Sequence, residues 1–294
     1  MTTLVETFKT LDQIAADDLS RVGGKAFNCA RLKQAGFPVP DGLVVPSDAS
    51  DVAIRPLADA WLAAKPPDAE FAVRSSGLGE DSAGHSFAGI HETHLNVARD
   101  QVVEAVLVCR RSAASEQARA YRQARHLGAA DARIGILVQR MVPAAVSGVA
   151  FTVNPTTGAD EIVINAAPGL GEDLVSGRVD PDEYRVAKRD RALLSSRVGA
   201  RAHAAAALLS AAQIAALADM LTRIESLYGA PQDVEWCHDG REFWIVQSRP
   251  VTAAPAGSTV ARHQSPVTPI TSITSPQPPI PGPGEVEWTR ANLA

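Results

Sequence analysis

The stretch DVEWCHDGREFWIVQSRP, Asp233 to Pro250, decides how this chain folds. Two β-prone runs flank a polar turn containing glycine, so it reads as a hairpin. Yet Asp233, Glu235, Gln247 and Arg249 interrupt its apolar pattern. Turn length sets where these four point. A two-residue turn at Asp239–Gly240 would pair residues of opposite parity and send Glu235 and Gln247 to opposite faces. A three-residue loop, His238–Asp239–Gly240 with Gly240 left-handed, is an equally good turn. It gathers Asp233, Glu235, Gln247 and Arg249 on one face together with Phe243 and Ile245. The other face then collects Val234, Trp236, Trp244 and Val246, a coherent core side, so the hydrophobic pattern favours this loop. An acid, an amide and an arginine on one sheet face suit Mg²⁺ and phosphate oxygens, because Mg²⁺ takes few protein oxygens and leaves the rest to water and phosphate. Taken alone, the hairpin is more simply read as a half-exposed sheet with a wet polar face.

Upstream, helix and strand signals alternate irregularly. GKAFNCARLKQAG has helical apolar spacing, with Gly36 as its stop. FPVPDGLVVP turns into a short strand, and FAVRSS (71–76) is a strand leading into a Gly-rich loop. DQVVEAVLVCRRSAASEQARAYRQARHLG reads as one long helix, Asp100 its N-cap and Gly128 its end. The runs IGILVQRMV, SGVAFTVNP, EIVINAAPG and DEYRVAKR follow with short connections, NPTTG joining the second to the third, which predicts an antiparallel meander. Ser210 and Gln213 have capping-box spacing for a last helix ending at Gly229. Short strand-to-strand links exclude a simple doubly wound sheet and give an α+β class with two lobes. Past Thr252 the chain is rich in Pro, Ser, Thr and Gly, a linker composition over 253–284. EVEWTRANLA (285–294) then reads as the opening of a following domain.

Composition narrows the function classes. With 46% apolar and 21% charged residues the chain is globular, and a net charge of −5 argues against a nucleic-acid partner, which needs a basic surface. Cys29, Cys109 and Cys237 are odd in number and far apart, so neither a disulfide framework nor a zinc site is expected. No apolar run is long enough to span a membrane and the start lacks a signal-peptide pattern, so a soluble cytoplasmic protein is the expectation. No Ser-His-Asp or Cys-His arrangement is readable from spacing.

Two further stretches carry charge next to glycine. In RVGGKAFN, Gly23 and Gly24 precede Lys25 at a helix start, which favours an anion. The P-loop pattern is not met, since Leu19 stands where its first Gly would be and Ala26 follows the lysine. A solvated helix start is the simpler reading of Lys25 alone. In VRSSGLGEDSAGHSFAG, a strand delivers Arg74, whose guanidinium offers a fixed fork to a phosphate. Gly77, Gly79, Gly84 and Gly89 then space a loop in which Ser82 and Ser86 add hydroxyl donors, although a flexible surface loop fits equally. His85, His91 and His94 lie nearby but match no common zinc spacing.

As an ordered set these stretches resemble the ATP-grasp nucleotide-binding domain of the phosphoenolpyruvate synthase, pyruvate phosphate dikinase and rifampicin phosphotransferase family. The segments that carry the resemblance are VGGKAFNCARLKQAGFPVPDGLVV, AVRSSGLGEDSAGHSFAGIHETHLNV, VQRMVPAAVSGVAFTVNPTTG, NAAPGLGEDLVSGRVDPDEYRV and PQDVEWCHDGREFWIVQSRPVT. The resemblance implies a two-lobed ATP-grasp fold, α+β with antiparallel sheets, holding ATP between an N-terminal lobe (1–138) and a C-terminal lobe (139–252). It implies that Lys25 and Arg74 hold phosphates and that the loop including Gly77, Gly79 and Ser82 closes over them. It places adenine on Gln139 to Val142, with Met141 and Val142 in the pocket and backbone hydrogen bonds to the base. Glu235 and Gln247 match magnesium ligands, Arg249 a catalytic arginine, and Asp233 an acidic neighbour of unassigned role. Members split ATP to AMP and phosphate and pass the β-phosphoryl to a histidine on a carrier domain, which phosphorylates pyruvate, an antibiotic hydroxyl or another acceptor.

Three departures stand out. The loop reads SSGLGED where SSATAED is closer to the usual wording, and only 24 residues separate Pro46 from Phe71, which shortens the first lobe. None of the seven histidines sits in a TSH-type phosphohistidine segment. The carrier and the acceptor-binding domain are therefore expected elsewhere, in the same longer chain or a separate polypeptide. A non-catalytic nucleotide-binding regulatory module is the alternative, opposed by the retention of Lys25, Arg74, Glu235, Gln247 and Arg249. An ATP-grasp ligase is a weaker third reading.

Overall fold

A computed structural model describes residues 8–77, 93–113, 134–171, 174, 178–200 and 207–251. Two antiparallel sheets organise them. The first, in the order β1-β2-β5-β3-β4, is built from β1 (Lys9–Thr10), β2 (Gly42–Val45), β3 (Glu70–Gly77), β4 (Thr93–Ala98) and β5 (Ile134–Arg140). The second, in the order β11-β10-β6-β7-β8-β9, is built from β6 (Val146–Phe151), β7 (Glu161–Pro168), β8 (Asp182–Ala187), β9 (Leu193–Arg197), β10 (Gln232–His238) and β11 (Phe243–Pro250). The α-helices α1 (Leu19–Val22), α2 (Gly24–Gln34), α3 (Asp51–Ala63), α4 (Val102–Ser112) and α5 (Ala211–Tyr228) pack on these sheets. This is the α+β, two-lobed arrangement of antiparallel sheets expected from the sequence.

Strand alternation explains how the first sheet faces two ways. Phe71 and Val73 of β3, with Ile136 and Val138 of β5, are buried in one cluster with Ile54 and Leu62 of α3 and Val103 and Val106 of α4. The intervening residues, Arg74 and Ser76 on β3 and Leu137 and Gln139 on β5, must therefore point to the opposite face, toward α2 and the second sheet. There Leu137 joins Ala26, Cys29 and Leu32 of α2 in a core that continues through Ile164, Tyr184, Val234, Trp236 and Ile245 of the second sheet to Leu217 and Leu221 of α5. Helix α2 is the wedge between the sheets. Asn28 Nδ2 donates to Ser248 O at 3.2 Å on β11, and the Ala26 amide donates to Ser76 Oγ at 3.1 Å on β3.

The helix ends follow the sequence signals. At the end of α2, Gly36 has φ +82° and donates to Lys33 O, while Phe37 donates to Leu32 O, the paired bonds of a Schellman motif. At α5, Ser210 Oγ accepts from the Gln213 amide and Gln213 Oε1 accepts from the Ser210 amide, and Gly229 closes the helix at φ +69°. Buried Asp182 ties this region together, accepting from the Gly199 and Leu208 amides and from Tyr184 Oη.

Several expectations need correction. Asp100 lies within a 3₁₀ turn, Arg99–Gln101, and α4 begins at Val102 with Gln101 as its N-cap; residues 114–133 lie outside the described part. The strand containing Gln139 does not join the meander. It pairs with β2 and β3 in the first sheet, so the expected boundary at residue 138 falls inside β5 and the first sheet extends to Arg140. The reason is that Ile136 and Val138 are needed to cover α3 and α4, and only then does the chain cross to β6. Helix α3 and edge strand β9 were not anticipated; β9 is exposed along its whole length and so lacks a burial pattern. The linker 253–284 and the segment 285–294 lie outside the described residues. Among the described residues no helix is long and apolar enough to cross a membrane.

Candidate nucleotide and metal site at the sheet junction

Gly23, two places before Lys25, has a packing role. Gly23 has φ +78°, and a Cβ there would stand 2.1 Å from Ser76 O, so only glycine lets the start of α2 lie against β3. That contact sets Lys25, in the first turn of α2 and 5% exposed, beside the strand end that carries Arg74 and Ser76.

The hairpin reaches its polar face by a route the sequence did not show. Its loop is four residues, Asp239 to Glu242, with the Asp239 amide donating to Glu242 O and Asp239 Oδ1 accepting from the Arg241 and Glu242 amides. Near the loop Trp236 pairs with Ile245 and His238 with Phe243, whereas Glu235 pairs with Gln247 and Asp233 with Arg249. Val246 is thus an extra residue in β11, a β-bulge that changes the parity. Phe243 and Ile245 consequently fall on the core side with Val234 and Trp236, Phe243 edge-on to Trp236 at 5.5 Å between ring centroids. The expected core side with Trp244 and Val246 is wrong, as is the three-residue loop. Asp233, Glu235, Gln247 and Arg249 do share one face, because the four-residue loop and the bulge each flip the parity once.

The bulge also leaves a backbone acceptor for Arg74. Arg74 Nη1 donates to Val246 O at 3.0 Å and lies 3.4 Å from Gln139 Oε1. Its Nη2 donates to Glu235 Oε2 at 3.0 Å and to Gln247 Oε1 at 2.7 Å. One arginine from the first sheet therefore gathers oxygens from both strands of the hairpin in the second. Next to it Arg249 Nε donates to Asp233 Oδ2 at 2.8 Å, directly across the ladder. Burial, together with the charge of Glu235, pushes the Asp233 carboxyl above its usual range despite the Arg249 guanidinium. With Lys25, the junction carries three cationic and two anionic side chains, a balance that favours a polyphosphate anion.

The donor set fits a hard divalent cation. A carboxylate and an amide oxygen, opposed on neighbouring strands, converge on a single cationic nitrogen, Arg74 Nη2, which marks where positive charge is held. Among the described residues no group of three or more His, Cys, Asp and Glu could hold a metal. Glu235 and Gln247 offer two protein oxygens side by side, and Mg²⁺ takes few protein oxygens. Two buried donors in the same place, Gln139 Nε2 and Arg74 Nε, have no hydrogen-bond acceptor among the described residues, the pattern of groups that await a ligand. Burial pushes the Cys237 thiol up to about 12, and Cys29 Sγ donates to Val246 O at 3.4 Å.

Lys25, Arg74, Gln139, Asp233, Glu235, Gln247 and Arg249 are thus all carried by α2, β3, β5 and the hairpin at the sheet junction. Gly77 ends β3. Val142 is buried and Met141 half-buried just past β5, but the Met141 amide already donates to Glu70 O, so a base would have to use other backbone groups of 139–142. Gly79 and Ser82 lie outside the described residues. Sequence reasoning missed the Val246 carbonyl and the Gln139 side chain as partners of Arg74. Period-2 alternation in FAVRSS and ILVQR was the available signal for Gln139; none existed for the bulge.

Asp239 allows a test of the hairpin itself. Its hydrogen bonds from the Glu242 and Arg241 amides and from Trp244 Nε1 hold it down at about 2, below the ordinary 3.8. A depressed carboxyl contributes stability above its unfolded value and loses it as pH falls through the folded one. The urea midpoint of wild type should therefore exceed that of Asp239→Asn at pH 7, and the gap should close between about pH 4 and pH 2. A gap independent of pH would refute the loop assignment.

Fold and site together define a two-lobed α+β protein whose sheet junction gathers arginines, carboxylates and an amide oxygen. The sequence matches the pyruvate phosphate dikinase, AMP/ATP-binding domain family over residues 52–266, and the chain belongs to that family. It is 31% identical to a probable phosphoenolpyruvate synthase of Methanothermobacter thermautotrophicus over 85% of this chain and 46% of that protein. It is 37% identical to a rifampicin phosphotransferase of a Streptomyces species over 62% of this chain and 23% of that protein. The chain thus spans less than half the length of these relatives. A D-alanine–D-alanine ligase from Helicobacter pylori superposes over 75% of this chain and 51% of its own, with 12% identity and a TM-score of 0.35. The resemblance drawn from the sequence is borne out at the level of the family.

Proposed function

We propose that this chain is the ATP-binding part of a cytoplasmic phosphotransferase that cleaves ATP to AMP and phosphate and hands the β-phosphoryl to a histidine on a separate carrier domain. The observation that carries the reading is the convergence of Arg74, Glu235 and Gln247 across the sheet junction, with Arg249 and Lys25 beside it. ATP lies in that junction, its phosphates drawn by Lys25, Arg74 and Arg249, its adenine toward 139–142. Glu235 and Gln247 would hold Mg²⁺, which when bound would neutralise phosphate charge. Arg249, held through Nε by Asp233, is the arginine that faces the transferring phosphoryl group. Phosphoryl transfer needs positioning and charge neutralisation more than covalent protein chemistry, and this charge set supplies both. The acceptor, pyruvate, an antibiotic hydroxyl or another small molecule, is selected by a further domain.

The test is reconstitution with the histidine carrier domain of a phosphoenolpyruvate synthase. AMP should form only when carrier, ATP and Mg²⁺ are all present. ADP as the sole nucleotide product would refute the mechanism.

A further inference from the structure

We infer that Arg74 holds the cation-ligating oxygens closed until nucleotide phosphate draws it away, so that nucleotide and divalent cation bind with positive coupling. The inference rests on the reading of Glu235 and Gln247 as metal ligands. Its basis is the position of one atom: Arg74 Nη2 takes Glu235 Oε2 at 3.0 Å and Gln247 Oε1 at 2.7 Å, the two oxygens a cation would need. Guanidinium and divalent cation cannot share them, because one nitrogen already lies at hydrogen-bond distance from both and the charges repel.

Three features make this a latch. The arginine side chain is 10% exposed and that of Glu235 18%, so the pair is little screened and exchange with water is costly. The second nitrogen, Nη1, is anchored on Val246 O, so the bulge residue fixes the fork on the hairpin rather than leaving it to swing. Finally, Arg74 Nε and Gln139 Nε2 have no acceptor among the described residues, so in the latched position these residues leave two donors unsatisfied. A phosphate between the sheets offers acceptors to both donors and an anion to the guanidinium. Moving Arg74 onto phosphate frees Glu235 and Gln247 for the cation, and by linkage the cation raises nucleotide affinity by the same factor. A latch closed nine-tenths of the time weakens cation affinity about tenfold.

The experiment titrates the full chain with Mn²⁺, followed by the electron paramagnetic resonance of free Mn²⁺, with and without a non-hydrolysable ATP analogue. The variants are Arg74→Met, Arg74→Lys and Glu235→Gln, with folding checked by circular dichroism. Wild type should bind Mn²⁺ weakly alone and about tenfold or more tightly with the analogue. Arg74→Met should bind Mn²⁺ alone about tenfold more tightly than wild type, and its gain from the analogue should be about tenfold smaller than the wild-type gain, what remains being direct coordination by the analogue's phosphates. Arg74→Lys, which keeps the charge without the fork, should show a smaller gain and stands in if the methionine variant does not fold. No gain in either variant, while Glu235→Gln still weakens Mn²⁺ in the analogue complex, overturns the latch and leaves the metal site standing. If Glu235→Gln leaves that complex unchanged, the metal assignment fails and the latch with it.

Discussion

Replacing Arg249 by alanine is expected to lower AMP formation in the carrier-reconstituted reaction by about 10²–10³-fold, the usual effect of removing one preorganised donor to developing charge. The side chain is 35% exposed and is held through Nε by Asp233, so its loss leaves the surrounding core intact. Nucleotide affinity, measured by calorimetry, should fall far less than turnover, because the interaction is strongest in the transition state. Asp233→Asn provides the comparison. Asp233 touches Arg249 and acts through it, so its variant should lower turnover less than Arg249→Ala and should not worsen it when the two are combined. Equal losses in affinity and turnover for Arg249→Ala would make it a ground-state phosphate ligand instead.

The largest structural effect is expected from Gly148→Ala. Gly148 lies opposite Trp236 in the β6–β10 ladder, and the indole fills the space a side chain would take. A Cβ there would stand 1.9 Å from Asn165 O on β7 and 2.7 Å from the Trp236 ring, so neither the sheet backbone nor a fully packed tryptophan can give way. We expect a loss of about 3 kcal/mol, at the upper end for over-packing a closed core, read as a lower urea midpoint. Trp236 adjoins Glu235, so the variant should also weaken Mn²⁺ binding in the nucleotide complex. A change below about 0.5 kcal/mol, the range of surface substitutions, would mean that β6 and β7 can separate at this point.

Much of this could be read without coordinates where the signal is local. Gly36, Ser210, Gln213 and Gly229 mark helix ends because capping involves residues within one turn of each other. NPTTG joins β6 to β7 for the same reason. Long-range pairing was less legible. Gln139 was placed with the second lobe because ILVQR resembles the strands that follow it, and alternation cannot say which of two sheets a strand enters. Helix α3 went unread between Pro46 and Phe71, and β9, exposed throughout, offered no apolar period.

The sequence by itself determined the family, the α+β class and the set of charged residues, since these depend on order and type along the chain. The tertiary structure alone decided how the hairpin gathers Asp233, Glu235, Gln247 and Arg249 on one face. A bulge at Val246 is chosen by what Phe243, Ile245 and Trp236 must bury, not by the residues of the turn. It also decided that Arg74 lies on Glu235, its partner 161 positions away. Contacts of that range exist only once two sheets, each satisfying its own hydrophobic pattern, close on the wedge of α2.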